Sequence, residues 1–259
     1  MSHVFLEEAA IKPHRSRYWL NPKIDDAEQH AAEIREVCGV YTQAAALGEQ
    51  GVHVISCDEK TSIQALQRDS PALPMQPGLI ERREFEYVRH GTTCLIANFD
   101  VVTGEVVAPT LGPTRNENDF ALHIRRTTAA DPGGRWVFVL DNLTTHVSET
   151  LVRLVAEREG LDMELGVKGK CGILKNVKSR KAFLTDASRR IRFVFTPRHC
   201  SWLNQVEIWF SVLARRVLKR GDFLSVEALE HKILAFIDYF NRVLAKPFRW
   251  TYAGRPLAA

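Results

Sequence analysis

Strand-type and helix-type runs alternate along the chain, and that order constrains the fold more than any other feature. GVHVISCDEKT (51–61) is a short β-rich run, and CLIANFDVVTGEVVAPT (94–110) reads as two strands joined at Thr103–Gly104. RWVFVLDN (135–142) is a buried strand and IRFVFTP (191–197) is another strand. Apolar residues recur at helical spacing in 24–47, 116–130, 147–159 and 225–244, and a short helical run covers 5–11. Strand, hairpin, helix, strand, helix, strand and two helices in that order build a mixed α/β sheet flanked by helices. The 259 residues suffice for one large domain or a domain with an appendage.

Two of these strands run into an acid. VISCDEK leaves Asp58, and VFVLDN leaves Asp141, at what the pattern predicts to be the carboxyl ends of strands. In open α/β sheets that edge is where ligands are held. A third acid lies in FTPRHCSWLNQVEIWFSVLARRVLKR (195–220). After Pro197 and the polar run to Ser201, the spacing predicts one amphipathic helix. At about 100° per residue, Leu203, Val206, Phe210, Leu213 and Val217 form its apolar stripe. Glu207 stands on the shoulder of that stripe, the one acid among positive charges. Three converging carboxylates repel one another unless a cation bridges them. Hard oxygen ligands suit Mg²⁺ or Mn²⁺. Two such ions roughly 3.5–4 Å apart can activate a water and stabilise the leaving oxygen of a phosphodiester.

The charge distribution supports a polyanionic partner. Net charge is only +4, but from Lys168 to Arg220 there are fourteen Lys or Arg against two acids, Asp186 and Glu207. That stretch carries +12 and leaves −8 to the rest, so phosphate backbone is the expected partner. The segment 166–190 interrupts the strand–helix pattern and reads as a basic insertion. Five scattered cysteines, none spaced C-x-x-C, argue for a reducing compartment and against a zinc site or disulfide framework. No apolar run approaches the ~18 residues of a membrane span, and MSHVFLEEAA is not a secretory signal. A cytoplasmic, nucleoid-associated protein is expected. GVKGKCG lacks the spacing of a phosphate-binding loop, and Trp202 and Trp209 read as packing residues.

CDEKT, DNLTTH and TPRHCSWLNQVEIWF resemble the three acidic blocks of bacterial insertion-sequence transposases of the mariner superfamily. The similarity runs over roughly residues 50–256 and includes LKRGDF and AKPFRWTYAGRPL. Its most specific part is W-L-N-x-x-E just after a strand and a proline. The resemblance implies an RNase H-like DDE catalytic domain over 49–259, with Asp58, Asp141 and Glu207 as the catalytic and metal-binding triad. It further implies two Mg²⁺ ions, replaceable by Mn²⁺, and cleavage and strand transfer of double-stranded DNA at transposon ends and target, by a homodimer on DNA. Asn142, His146, His199 and Asn204 are accessory candidates. Lys12, Arg15, Arg17, Lys168, Lys170, Lys175, Lys178, Arg180, Lys181, Arg198, Arg215 and Lys219 are the candidate DNA contacts.

The chain departs from that family in two ways. Asp141 and Glu207 are 66 positions apart, longer than the family's compact form, with 166–190 as the excess. The family's N-terminal helix-turn-helix units are represented only by VFLEEAAIKPHRSRYWLNPK, so residues 1–48 are expected to be a remnant of that region plus a linker helix. Two functions follow: a metal-dependent DNA transposase, or a catalytically silent DNA-binding remnant that associates with a full-length copy.

Overall fold

A computed structural model describes residues 24, 26–82, 86–252 and 254. The helical run at 5–11 and the candidate contacts Lys12, Arg15 and Arg17 lie outside the described residues.

Five strands form one sheet: β1 (Val52–Arg68), β2 (Tyr87–Asp100), β3 (Val106–Gly112), β4 (Arg135–Leu140) and β5 (Ile191–Phe195). The order across the sheet is β3-β2-β1-β4-β5. β2 is antiparallel to β1 and to β3, while β4 runs parallel to β1 and to β5. The expected mixed sheet is therefore present. The hairpin turns at Thr103–Gly104, where Gly104 has φ 78 and an added Cβ would lie 2.1 Å from the Lys246 backbone.

Alternation along the strands sorts the core onto two faces. Val52 and Val54 of β1 join one apolar cluster, and Ile55 and Cys57 join the other. The first face is covered by α1 (Ala27–Thr42), α2 (Ala44–Glu49), α6 (Val206–Leu213) and α7 (Val226–Val243). The second carries α3 (Glu117–Ala129), α4 (Glu149–Glu159) and α5 (Val177–Thr185). Ile34, Val37, Cys38 and Tyr41 of α1 sit in the same cluster as the sheet, so this helix is part of the main core. Asn116 caps α3 in a reciprocal capping box with Asp119, and Ser148 and Ser225 cap α4 and α7.

The structure differs from the sequence reading in three places. Asp58 does not end a strand; it lies inside β1, which runs on to Arg68. β1 pairs with β4 only over Val52–Ser56 and continues with β2 as a two-stranded arm, with register shifts after Lys60 and Gln64. The carboxyl edge of the parallel sheet is thus set by where β4 stops, while the antiparallel partner keeps β1 extended. The LKRGDF segment braces this arm: Asp222 accepts from the Arg68 amide at 2.7 Å, and the Phe223 amide donates to the Leu66 carbonyl at 2.8 Å. Phe223 folds its ring over Gly221, where a Cβ would be 2.1 Å from the ring.

Second, the expected single helix after Pro197 is three pieces. A 3-10 turn spans Ser201–Leu203, α6 follows, and Ala214–Leu218 is a π turn closed by Lys219 N–H to Ala214 C=O at 2.8 Å. The apolar stripe is buried as expected, from Leu203 through Val217. Helical conformation is lost at Asn204 (φ −83, ψ 106), whose side chain is committed to β1.

Third, the basic segment 166–190 carries regular structure that the pattern did not predict. A 3-10 turn (Ile173–Lys175) and α5 pack Leu174, Phe183 and Leu184 into the second-face core.

Candidate active site

Ser56 of β1 is paired with Val139 of β4. Two residues further along both parallel strands stand Asp58 and Asp141. Neighbouring strands are ~4.8 Å apart, so the two carboxylates share one edge. Asp58 is 9% exposed; its Oδ1 accepts the Glu59 amide at 2.7 Å and its Oδ2 accepts Asn204 Nδ2 at 2.9 Å. Burial pushes the Asp58 carboxyl up to about 7. The Glu59 N–H offsets part of this, and the charges of Asp141, Glu59 and Glu207 add to the rise.

Asn204 is the latch between strand and helix. Its Nδ2 also donates to the Cys57 carbonyl at 3.1 Å, and its Oδ1 accepts from Ser56 Oγ. Ser56 Oγ in turn accepts the Val206 amide at 3.0 Å. All four groups are buried, so the first turn of α6 is docked on β1 and Glu207 is carried to the Asp58 edge. Glu207 itself is exposed.

Asp141 is held from the other side. It follows β4 directly, and the chain then turns through a 3-10 segment, Thr144–Val147. His146 in that turn is fully buried with its ring 4.3 Å from that of Phe120. Its Nδ1 pairs with Asp141 Oδ1 at 2.8 Å and lies 3.3 Å from the Asp141 carbonyl, and its Nε2 donates to Glu59 Oε1 at 2.9 Å. The Leu143 amide donates to Asp141 Oδ1 at 2.9 Å. Burial pushes Asp141 up, but the hydrogen bonds from His146 and Leu143 and the nearby charges of His146 and Arg115 hold it below the ordinary carboxylate range. Burial disfavours the imidazolium of His146, yet its two carboxylate partners outweigh that and raise it to about 10.

Other sequence candidates divide by burial. Lys181 of α5 reaches the same edge: its Nζ donates to Asn142 Oδ1 at 2.8 Å and lies 4.9 Å from the centre of the Phe195 ring. Asn142 also donates to the Thr196 carbonyl. Arg180 is a correction. It is buried, with Nε on the Val147 carbonyl at 2.7 Å and Nη1 on the Leu174 carbonyl at 3.1 Å, so it ties the basic segment to the core and has no surface for a phosphate. Lys168, Lys170, Lys175, Lys178, Arg198, Arg215 and Lys219 are exposed, Lys168 being 4.0 Å from Glu117. His199 is exposed at φ 62, and among the described residues no hydrogen bond joins it to the acids. Trp209 is fully buried, and Trp202 lies edge-on to Tyr252.

Ser56, Glu59 and Arg115 were missed in the sequence. Glu59 follows Asp58 directly, so alternation alone sends it to the opposite face. A buried carboxylate there requires a cationic or donor partner, but nothing in the sequence says that His146 supplies it. Ser56 and Arg115 carry no sequence signal.

Among the described residues no three His, Cys, Asp or Glu side chains close on a single point. Asp58 and Asp141 are side by side, and Glu207 stands off on the solvent side of α6. The donor chemistry nevertheless fits a hard divalent cation. All three groups are carboxylates, Glu207 is accessible, and the charges of Asp141 and Glu207, which add to the effect of burial on Asp58, are a repulsion that a cation would relieve.

Residues 53–230 match the family model described as DDE superfamily endonuclease. The crystal structure of the Mos1 strand transfer complex aligns with a TM-score of 0.52 at 16% identity, over 93% of this chain and 62% of that one. The chain therefore spans less than two thirds of that protein's length. At this identity the likeness is one of fold, and it agrees with an RNase H-like sheet. A structure of the Mos1 transposase catalytic domain and raltegravir with Mg aligns at a TM-score of 0.47 and 12% identity, over 90% of this chain and 89% of that one. No curated protein sequence matches the chain.

Proposed function

The chain belongs to the DDE superfamily endonucleases, and from that premise we propose that it is a DNA transposase acting through Asp58, Asp141 and Glu207. The observation that carries this reading is the juxtaposition of Asp58 and Asp141 on adjacent parallel strands, with the first turn of α6 latched beside them through Asn204.

Asp58, Asp141 and Glu207 would hold two Mg²⁺ ions, or Mn²⁺ in their place. Such ions, when bound, polarise a phosphodiester and make the attacking hydroxyl more acidic. The chain's own residues do the positioning. The Asn204 latch fixes Asp58 against α6, and His146 and Leu143 fix Asp141. Lys181, tethered to Asn142, presents an ammonium at the same edge for a backbone phosphate. The exposed Lys168, Lys170, Lys175 and Lys178 extend that surface along duplex DNA, and such contacts orient DNA without reading its sequence. Arg198, Arg215 and Lys219 flank α6 on the same reading. The segment before α1, with Lys12, Arg15 and Arg17, belongs to end recognition, whereas α1 packs into the catalytic core. The partners are transposon-end and target duplexes, bound by a homodimer in the nucleoid.

Nicking of supercoiled plasmid DNA in Mg²⁺ tests the proposal. Wild-type protein should nick, and Asp58→Asn, Asp141→Asn and Glu207→Gln should each lose the activity while keeping the wild-type circular dichroism. An Asp141→Asn protein that cuts at the wild-type rate overturns the assignment. Wild-type protein that binds DNA and never cuts it would favour the silent remnant.

A further inference from the structure

We propose that Glu59 and His146 are positioning residues that make Asp141 a one-oxygen metal ligand, presenting Oδ2 and withholding Oδ1. The inference rests on the metal-binding reading of the site and deepens it. Asp141 Oδ1 is already engaged twice, by His146 Nδ1 in an ion pair at 2.8 Å and by the Leu143 amide at 2.9 Å. The ion pair and the amide hydrogen bond both engage Oδ1, whereas no described group donates to Oδ2. The side chain is 42% exposed, so it has room to swing unless it is held.

His146 can hold it because it is itself immobile. The ring is 0% exposed and lies against Phe120, so its plane is set by packing. Its far nitrogen is anchored on Glu59 Oε1 at 2.9 Å, and the Glu59 side chain is 2% exposed. Glu59 is rigid in turn, because it sits in the paired part of β1 opposite Ile96 of β2. A continuous path therefore runs from the central strand through Glu59 and His146 to Asp141. It lies on the sheet face opposite Asn204, so the two aspartates are oriented by independent devices. Outer partners of this kind commonly change metal affinity 10–100-fold when removed. A lone surface aspartate after a strand would need no buried glutamate behind it; here burying Glu59 costs desolvation that its contact with His146 offsets.

The test separates the two histidine nitrogens. Asparagine places its amide nitrogen near the position of Nδ1, and glutamine near that of Nε2. Mn²⁺ binding to the full chain, read from the loss of the free-ion electron paramagnetic resonance signal, should weaken ten-fold or more in His146→Gln. His146→Asn, which keeps the donor to Asp141 and loses the contact with Glu59, should fall between wild type and His146→Gln. The half-saturating Mg²⁺ for nicking should follow the same order, with the rate at saturating Mg²⁺ changing less. Should His146→Gln fail to fold, Glu59→Gln, which preserves volume, carries the test, and a Kd raised three-fold or more is expected. A folded His146→Gln or Glu59→Gln protein with wild-type Mn²⁺ affinity overturns the proposal. If wild type binds no Mn²⁺, the metal reading of the site fails instead. If Asp141→Asn abolishes binding while His146→Gln leaves it intact, only the positioning role fails.

Discussion

Asn204 donates its amide to Oδ2 of Asp58 at 2.9 Å across 146 positions of sequence. The same side chain breaks the helix before α6 and accepts from Ser56, so one residue both ends the 3-10 turn and sets the position of Glu207 three residues later. The W-L-N-x-x-E spacing is therefore a ruler. Asn204 touches the strand, and Glu207 stands about one helical turn further on.

Asn204→Ala should destabilise the fold by about 1–3 kcal/mol, because it strips a donor from the buried Cys57 carbonyl and from Asp58 while leaving Ser56 without its acceptor. Urea midpoints report the change. Asn204→Asp should be worse at pH 8 than at pH 5, since it sets a second carboxylate against Asp58. A midpoint unchanged in Asn204→Ala would show that the latch holds nothing.

The pH dependence of the metal-free protein should carry the signature of Asp58. Its carboxyl is raised to about 7 in the fold, against 3.8 ordinarily. Between those values the folded chain keeps a proton that the unfolded chain has lost, so stability falls as pH rises from about 4 to 7. Asp58→Asn should remove that fall and leave the protein more stable at pH 8, by roughly 2–4 kcal/mol at most. His146, raised to about 10, contributes stability that is full below 6.5 and lost as pH rises through 10. It is present in both proteins, so the difference between them isolates Asp58. Parallel stability curves for wild type and Asp58→Asn would contradict the prediction.

Mg²⁺ should stabilise the fold by mass action. At ten-fold excess over Kd the gain is about 1.4 kcal/mol. For a chain of this size that corresponds to a rise in Tm of about 3–5 °C. Mn²⁺ should do the same, Glu207→Gln should blunt the shift, and the triple amide variant should lose it. Equal shifts in wild type and the triple variant would place the ions elsewhere.

Duplex DNA should bind with a steep salt dependence. Lys175 and Lys178 are exposed and Lys181 sits beside Asn142, whereas Arg180 points into the core. Changing the three lysines to Gln should flatten the slope of log Kd against log salt, by about 0.9 for each phosphate no longer neutralised. Arg180→Gln should leave the slope alone and lower stability instead. An undiminished slope in the triple lysine variant would move the DNA path off α5.

The order of elements was legible in the sequence, as was the shared edge of the strands that carry Asp58 and Asp141, because strand and helix patterns are local. Buried strands announce themselves by apolar runs, helices by their spacing, and Asp141 by following RWVFVL directly. The stripe from Leu203 to Val217 was read correctly as buried, since periodicity alone assigns a helix face. What pairs with what was not legible. Asp58 was expected to end a strand, but β1 has two partners of different length, and only their pairing shows that the parallel edge falls inside it. The helix after Pro197 was expected to be unbroken, because the hydrogen bonds that interrupt it come from Ser56 and Cys57, some 147 positions away. Arg180 looked like any other basic residue until α5 turned it toward the Val147 and Leu174 carbonyls. Glu59 and His146 lie 87 positions apart and meet only when the chain folds. Periodicity records which side of an element faces the core. A buried polar contact depends on which two elements are brought together, and only tertiary packing decides that.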